Sequence, residues 1–164
     1  MLTLDDPRWQ TMRQCGGYST VVPALLRRLQ APAHFMDERG AFDSLRLALV
    51  RCNEVDEVSY AATPHLARLC KSGGIPPWEY IQLIAQVESC RALGRGPKVP
   101  EDTAPGYFHV IRELPQLISE VSLEGAHEEI VVANLASALA VGLGQPQLGE
   151  AILEMALTPD STST

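Results

Sequence analysis

The sequence predicts an all-α fold, a short α-solenoid of about three helix pairs with a capping helix at each end. Apolar residues recur at helical spacing in segments that turn-forming residues separate. A proline-centred motif also recurs along the chain at a nearly constant interval, which indicates repeated helix pairs. We therefore expect one helical domain over residues 1–157, followed by a disordered polar tail at 158–164.

The first predicted helices are marked by caps and by proline. Asp6 can cap a short helix at 7–14, because Pro7 fits the first helical position. Residues 21–30 carry leucines at helical spacing, and Pro32 ends that helix. A third helix is predicted at 41–52, where apolar residues again recur every three or four positions.

The fourth predicted helix, at 54–69, contains a proline. It opens with three carboxylates, which the helix macrodipole stabilises at this end. Pro64 lies inside it, so we expect either a kink or a new start with Thr63 as the N-cap.

The second half has three predicted helices after a long linker. Residues 78–93 form a strongly periodic helix, and the glycine- and proline-rich stretch 94–106 is predicted to be a functional or mobile loop. A helix that is apolar on most faces, such as the one at 128–143, belongs in the centre of a stack. The remaining helices are predicted at 107–123 and from Gln145-Pro146 to the tail.

The repeat rests on three prolines, each followed two positions later by leucine. The intervals between them are 41 and 51 residues, and the second comes near 41 if ten residues of the linker count as an insertion. Periods of about 40–47 residues, each a helix pair, are typical of HEAT arrays. An irregular bundle with chance matches stays open as the alternative. The prolines are Pro23, Pro64 and Pro115.

The sequence offers little catalytic or metal-binding chemistry. Its four histidines are scattered, its four cysteines form no C-x-x-C pair, and no phosphate-binding or nucleophile motif is present. We predict that the chain is not an enzyme, holds no cofactor or metal, and keeps its cysteines as small buried thiols. The first residues do not resemble a signal peptide and no apolar run is long enough to span a membrane, so we expect a cytoplasmic protein.

A binding surface is the more plausible function. In stacked helix pairs the second helices line a concave face where partners dock. A solvated surface is the alternative for any of these side chains. The polar residues predicted on that face are Asp43, Arg46, Glu79, Gln82, Gln86, Ser89, His127, Asn134 and Ser137.

The charge distribution indicates what such a partner would be. Residues 1–80 have no net charge, and the whole formal charge of −7 lies in residues 81–164. An acidic surface repels phosphate, which disfavours general nucleic-acid binding and favours a basic protein partner. Solubility alone would also explain the charge. The oligomeric state stays open.

Residues 4–9, 16–18 and 57–66 resemble a family of small bacterial HEAT-like proteins, whose helical-repeat relatives include immunity proteins of toxin systems. The resemblance lies mainly in the first half and implies fold more than activity. It suggests an immunity protein that neutralises a cognate bacterial toxin by direct binding. A scaffold or regulatory adaptor is the alternative, and a HEAT-fold DNA glycosylase is a third that the net charge disfavours.

Overall fold

The computed structural model of the protein describes residues 1–13, 21–31, 35–72, 74–120 and 128–158. Over these ranges the chain forms seven α-helices and one short 3-10 helix, with no β-strand. The prediction of an all-α fold is confirmed.

The helix bounds follow the predicted ones closely in the second half and less closely in the first. The opening helix is only a single 3-10 turn, and α2 begins six residues before the predicted start. In chain order the elements are the 3-10 helix Pro7–Gln10, α1 Val21–Gln30, α2 Phe35–Leu49, α3 Glu57–Leu69, α4 Pro77–Ala92, α5 Ala104–Glu120, α6 Glu129–Gly142 and α7 Pro146–Leu157.

The helices pack as three successive pairs. Helix α1 packs on α2, α3 on α4 and α5 on α6, while α3 also lies against both α1 and α5. On the other side α4 packs on α6, and the rings of Phe42 and Tyr80 join α2 to α4 with centroids 5.1 Å apart. Helix α7 covers α6 and the neighbouring part of α4. These contacts agree with stacked helix pairs, although the solenoid arrangement remains a prediction.

Helix α2 ends earlier than predicted because the chain turns in the left-handed region. Cys52 and Asn53 have φ of 52° and 59°, a conformation that helices and most side chains avoid. The turn brings Arg51 and Glu54 together, with N–H···O distances of 3.1 and 2.9 Å between their backbones. Cys52 is exposed, so the prediction of a buried thiol is wrong there. Cys15 lies outside the described residues.

Helix α3 continues through its proline without a new start. Thr63, predicted as a possible N-cap, is buried, and its hydroxyl donates to the carbonyl of Ser59 at 2.9 Å. The helix begins instead beside Asp56, whose backbone N–H donates to the Ser59 hydroxyl oxygen at 3.3 Å. The Ser59 hydroxyl in turn donates to the Leu49 carbonyl at 2.6 Å and so ties α3 to the end of α2.

The predicted linker is shorter than expected and is fixed to the helices around it. It ends at residue 103, because α5 begins at Ala104. The Val55 N–H donates to the Arg95 carbonyl at 3.0 Å, and the Tyr60 hydroxyl donates to the Pro97 carbonyl at 2.8 Å. Gly96 approaches so closely that a Cβ there would lie 2.9 Å from the Val55 carbonyl oxygen. We conclude that this segment packs as part of the domain.

A buried carboxylate on α4, that of Glu88, connects this helix to α5. Arg91 donates two hydrogen bonds to Glu88, of 2.6 and 2.7 Å, and the Tyr107 hydroxyl donates to the same carboxylate at 2.7 Å. Glu88 is 7% exposed and Tyr107 is fully buried. The Arg91 guanidinium also lies 5.4 Å from the centre of the Phe108 ring. A buried carboxylate needs such partners, because without them its charge would be strongly destabilising.

The first residues of the chain dock on α3 through a buried histidine. The Nε2 of His65 lies 2.9 Å from the Leu2 carbonyl, and its Nδ1 has no partner among the described residues. Because a carbonyl only accepts, Nε2 carries the proton. The indole of Trp9 packs near the imidazole, with ring centroids 6.1 Å apart, and donates to the Thr3 carbonyl. Burial is the main cause that lowers the pKa of His65.

This lowered pKa predicts that stability falls as the solution becomes mildly acidic. The unfolded chain takes up a proton at His65 as pH falls through its ordinary pKa of 6.5, whereas the folded chain does so only at lower pH. The loss is about 1.4 kcal/mol for each unit that separates the two pKa values. At pH values between these two pKa values, the free energy of unfolding measured with denaturant should depend less on pH for His65→Gln than for the unchanged chain. The glutamine retains a hydrogen-bond donor. Equal slopes for both proteins would contradict the prediction.

Candidate functional site

One concave surface of the protein lies between α4, α6 and α7. It is an open groove of about 320 Å³. Ligand sites are typically grooves of this size that combine apolar walls with a few polar groups. Its lining residues are Asn53, Gln82, Ala85, Gln86, Ser89, Cys90, Arg95, Asn134, Ser137, Val141, Glu150, Leu153, Glu154 and Leu157.

Five of the residues predicted on the concave face meet in this groove. Three of them, Gln82, Gln86 and Ser89, lie along α4, because spacings of four and three residues return to one face of a helix. Asn134 and Ser137 face them from α6, again three residues apart. The structure therefore brings the predicted polar positions of two second helices together.

Three other predicted residues, Asp43, Arg46 and Glu79, are not in the groove lining. Asp43 is partly buried and Arg46 is exposed, and both lie on α2 outside the lining. Glu79 accepts two hydrogen bonds from Arg39, of 2.6 and 2.7 Å, so its carboxylate is engaged in holding α2 to α4. His127 lies outside the described residues.

The far wall of the groove is α7, which approaches α6 unusually closely. The hydroxyl of Ser137 donates to the carbonyl of Gly149 at 2.8 Å. A Cβ on Gly149 would lie 2.7 Å from a methyl carbon of Val141 and 3.0 Å from the Ser137 carbonyl oxygen. Only glycine permits this separation of the two helices. Ser137, predicted as a partner-binding residue, thus has a packing role as well as its place in the lining.

An ion pair forms part of the groove lining. The guanidinium of Arg95 donates to both oxygens of Glu150, at 2.6 and 3.2 Å, and this carboxylate raises the pKa of Arg95. Each side chain is a little over one third exposed. Glu154 follows one turn later on α7, and its carboxylate has no cationic partner among the described residues. After the ion pair is counted, one negative charge remains in the lining.

Two buried polar atoms in residues of the lining have no hydrogen-bond partner in the part of the chain that the structure describes, and solvent does not reach them. They are the hydroxyl oxygen of Ser89 and the side-chain carbonyl oxygen of Asn134, in residues that are 7% and 4% exposed. The amide nitrogen of Asn134 donates to the Ile130 carbonyl at 2.8 Å, which fixes the orientation of this amide. Unpartnered buried polar atoms destabilise a fold by about 1–3 kcal/mol each and are therefore rare.

The groove provides no activated nucleophile or metal site in the part of the chain described. Cys90 is buried in its wall, and burial raises the pKa of its thiol, which disfavours the nucleophilic thiolate. No group of three metal-binding side chains occurs among the described residues. None of the described helices is both long enough and apolar enough to cross a membrane.

Sequence reasoning missed the residues contributed by α7 and by the linker. Helix α7 was predicted only as a cap, so Glu150, Leu153 and Glu154 were not considered. The position of Arg95 in a glycine-rich stretch gave no sign that it would reach α7, 55 residues further on. The acidic excess of the second half was the one available signal.

The chain was also compared with models of known protein families, with curated proteins and with solved structures, and none of the three comparisons gave a match.

Proposed function

We propose that this chain is a protein-binding domain whose groove between α4, α6 and α7 receives part of a partner, and that it acts as a bacterial immunity protein. The resemblance of its first half to helical-repeat proteins of toxin systems suggests the immunity role. The partner would be a toxin domain that the chain neutralises by covering its active surface.

The observation that carries this proposal is the groove itself, in which five of the predicted polar residues meet. The side-chain oxygens of Ser89 and Asn134 are buried in the wall, so contacts with a partner fall to the side chains that remain accessible. The amides of Gln82 and Gln86 are partly buried beside them and offer further donors and acceptors. The apolar side chains of α7 would add area that a partner removes from water.

The charge of the groove argues for a protein and against a nucleic acid. Arg95 is neutralised by Glu150, and Glu154 leaves a negative charge in the lining. Phosphate groups would be repelled there, so the glycosylase alternative gains no support from this groove. An adaptor that binds a resident cellular protein could use the same residues and differs only in its partner.

Protection of living cells separates these two roles. We expect the product of a gene next to that of this chain to stop bacterial growth when produced alone, and co-production of the chain to restore growth. Gln86→Trp, which fills the groove, should abolish protection and weaken binding of that product about tenfold or more, as loss of a central contact does. Association should also slow as salt rises, because the partner is basic.

Ala136→Trp is the matched control, since Ala136 is exposed on α6 and outside the groove lining. It should protect as well as the unchanged chain, and thermal unfolding should show that both variants are folded. Equal protection by the two variants would refute the groove as the binding site. Absence of both toxicity and binding would refute the immunity role.

A further inference from the structure

We infer that a second surface of the protein, on the side of α6 and α7 that is turned away from the groove, joins two copies of the chain into a symmetric dimer. Exposed apolar side chains of both helices form this surface, which we call the outer face. Its residues are Val132, Ala136, Leu139 and Leu143 on α6, and Leu148 and Met155 on α7.

Helical spacing places the outer face opposite the groove. Its residues on α6 follow one another at intervals of four, three and four, which keeps them on one side of that helix. Leu139 comes two positions before Val141, which lines the groove, and two positions turn a helix by about 200°. Leu148 on α7 likewise comes two positions before the lining residue Glu150. Because α6 and α7 pack on each other, the two rows form one continuous surface.

The side chains of the outer face have large areas in contact with water. Val132 is 55% exposed, Leu143 is 66% exposed and Met155 is 72% exposed. Single exposed apolar residues are ordinary, but a group of them on one face is typical of an interaction surface. The outermost face of a row of stacked helix pairs is normally polar. The outer face therefore has the composition of a surface that another molecule covers.

The charge pattern indicates a second copy of the chain as that molecule. Residues 130–149 contain no Asp, Glu, Lys or Arg, although residues 81–164 hold the whole formal charge of −7. Two copies can therefore bring their outer faces together without placing acidic side chains opposite one another, which would cost several kcal/mol. The basic partner proposed above would find no opposite charge on this surface, and an anionic membrane would find no cation there.

The size of the outer face fits a weak, reversible dimer. Helix α6 has 14 residues and α7 has 12, so each is about 20 Å long at about 1.5 Å per residue. Two packed helices, each about 10 Å across, give a surface about 20 Å wide. Two such surfaces would bury on the order of 800–1,000 Å² in total, which is near the lower limit for specific protein interfaces.

A dimer of this kind leaves the groove accessible. A two-fold axis packs the outer face of one copy against the same face of the other. The two grooves then open on opposite sides of the dimer, and each is formed within a single chain. We therefore expect one dimer to bind two molecules of a partner, with the outer face and the groove acting separately.

Sedimentation equilibrium of the full chain tests this inference. The average mass should rise with concentration from 17.8 kDa towards twice that value. We expect a dissociation constant on the order of 10 μM for an interface of this size. Higher salt should strengthen the dimer, because it screens the repulsion between two acidic chains. A mass that stays at that of one chain up to about 1 mM, a concentration at which even weak dimers form, would overturn the inference.

A pair of matched substitutions locates the interface. Leu143→Glu should weaken the dimer at least about tenfold, because it brings two carboxylates into an uncharged contact. Leu47→Glu is the control, since Leu47 is 65% exposed on α2, outside the outer face. It should leave dimerisation unchanged, and thermal unfolding should show that both variants are folded. Equal effects of the two substitutions on dimerisation would contradict an interface on the outer face.

The growth experiment described above gives an independent result, because the groove does not need the dimer. Dimerisation without protection of cells would refute the immunity role and support the dimer. Protection by a chain that stays monomeric would refute the dimer and support the immunity role.

Discussion

Arg91→Met should lower the free energy of unfolding by about 3 kcal/mol, the usual cost of leaving a buried charge without its partner. The substitution keeps a long apolar side chain near Phe108 but removes both hydrogen bonds to Glu88. Glu88 would then retain only the hydroxyl of Tyr107. Urea unfolding followed by circular dichroism measures the change, which we expect as a lower midpoint with little change in slope.

Arg112→Met is the control for this experiment. Arg112 lies exposed on α5 and forms no ion pair among the described residues, so its loss should change stability by less than about 0.5 kcal/mol. A double variant that combines Glu88→Leu with Arg91→Met removes both charges. It should be more stable than Arg91→Met alone, because no unpaired carboxylate remains. A double variant less stable than Arg91→Met would contradict this account.

Gly149→Leu should lower the free energy of unfolding by about 2 kcal/mol and displace α7. Overpacking against Val141 and the Ser137 backbone costs up to about 3 kcal/mol, while replacing glycine in a helix returns about 1 kcal/mol. Displacement of α7 should also separate Glu150 from Arg95 and change the groove. Thermal unfolding measures the first effect, and the NMR signal of the Arg95 side chain reports the second.

The same substitution at another helical glycine gives the matched control. Gly40 lies exposed on α2, and a Cβ there would meet nothing within 4 Å. Gly40→Leu should therefore raise stability by roughly 0.5–1 kcal/mol through helix propensity alone. If both substitutions changed the free energy of unfolding in the same direction, close packing of α6 and α7 would not explain the glycine at 149.

The helices were predictable where local signals agreed. Pro76-Pro77 and Gly94 bracket a strongly periodic segment, and α4 begins and ends within one residue of its predicted bounds. The start of α2 was not predictable, because residues 35–40 include a glycine and few apolar residues. Its end depends on the left-handed conformation of Cys52 and Asn53, which neither a cysteine nor the preceding pattern indicates.

The candidate site was predictable only in part. Some of its residues follow from spacing within one helix, whereas others depend on how the helices pack together. Helical spacing placed Gln82, Gln86 and Ser89 on one face, which a single sequence can show. The contribution of Glu154 depends on how α7 folds back on α6. Whether the oxygen of Asn134 finds a partner depends on every neighbour in space, and no pattern in one sequence contains that information.

The attachment of residues 94–103 bears on how the chain can be divided. Its glycines and prolines would suggest that the chain can be divided into fragments there. However, the carbonyls of Arg95 and Pro97 each accept a hydrogen bond from the first half of the chain. The side chain of Arg95 at the same time holds the last helix. Cutting the chain in this stretch would therefore remove contacts to the first half and to the last helix together. A series of deletion variants should keep residues 94–103 intact.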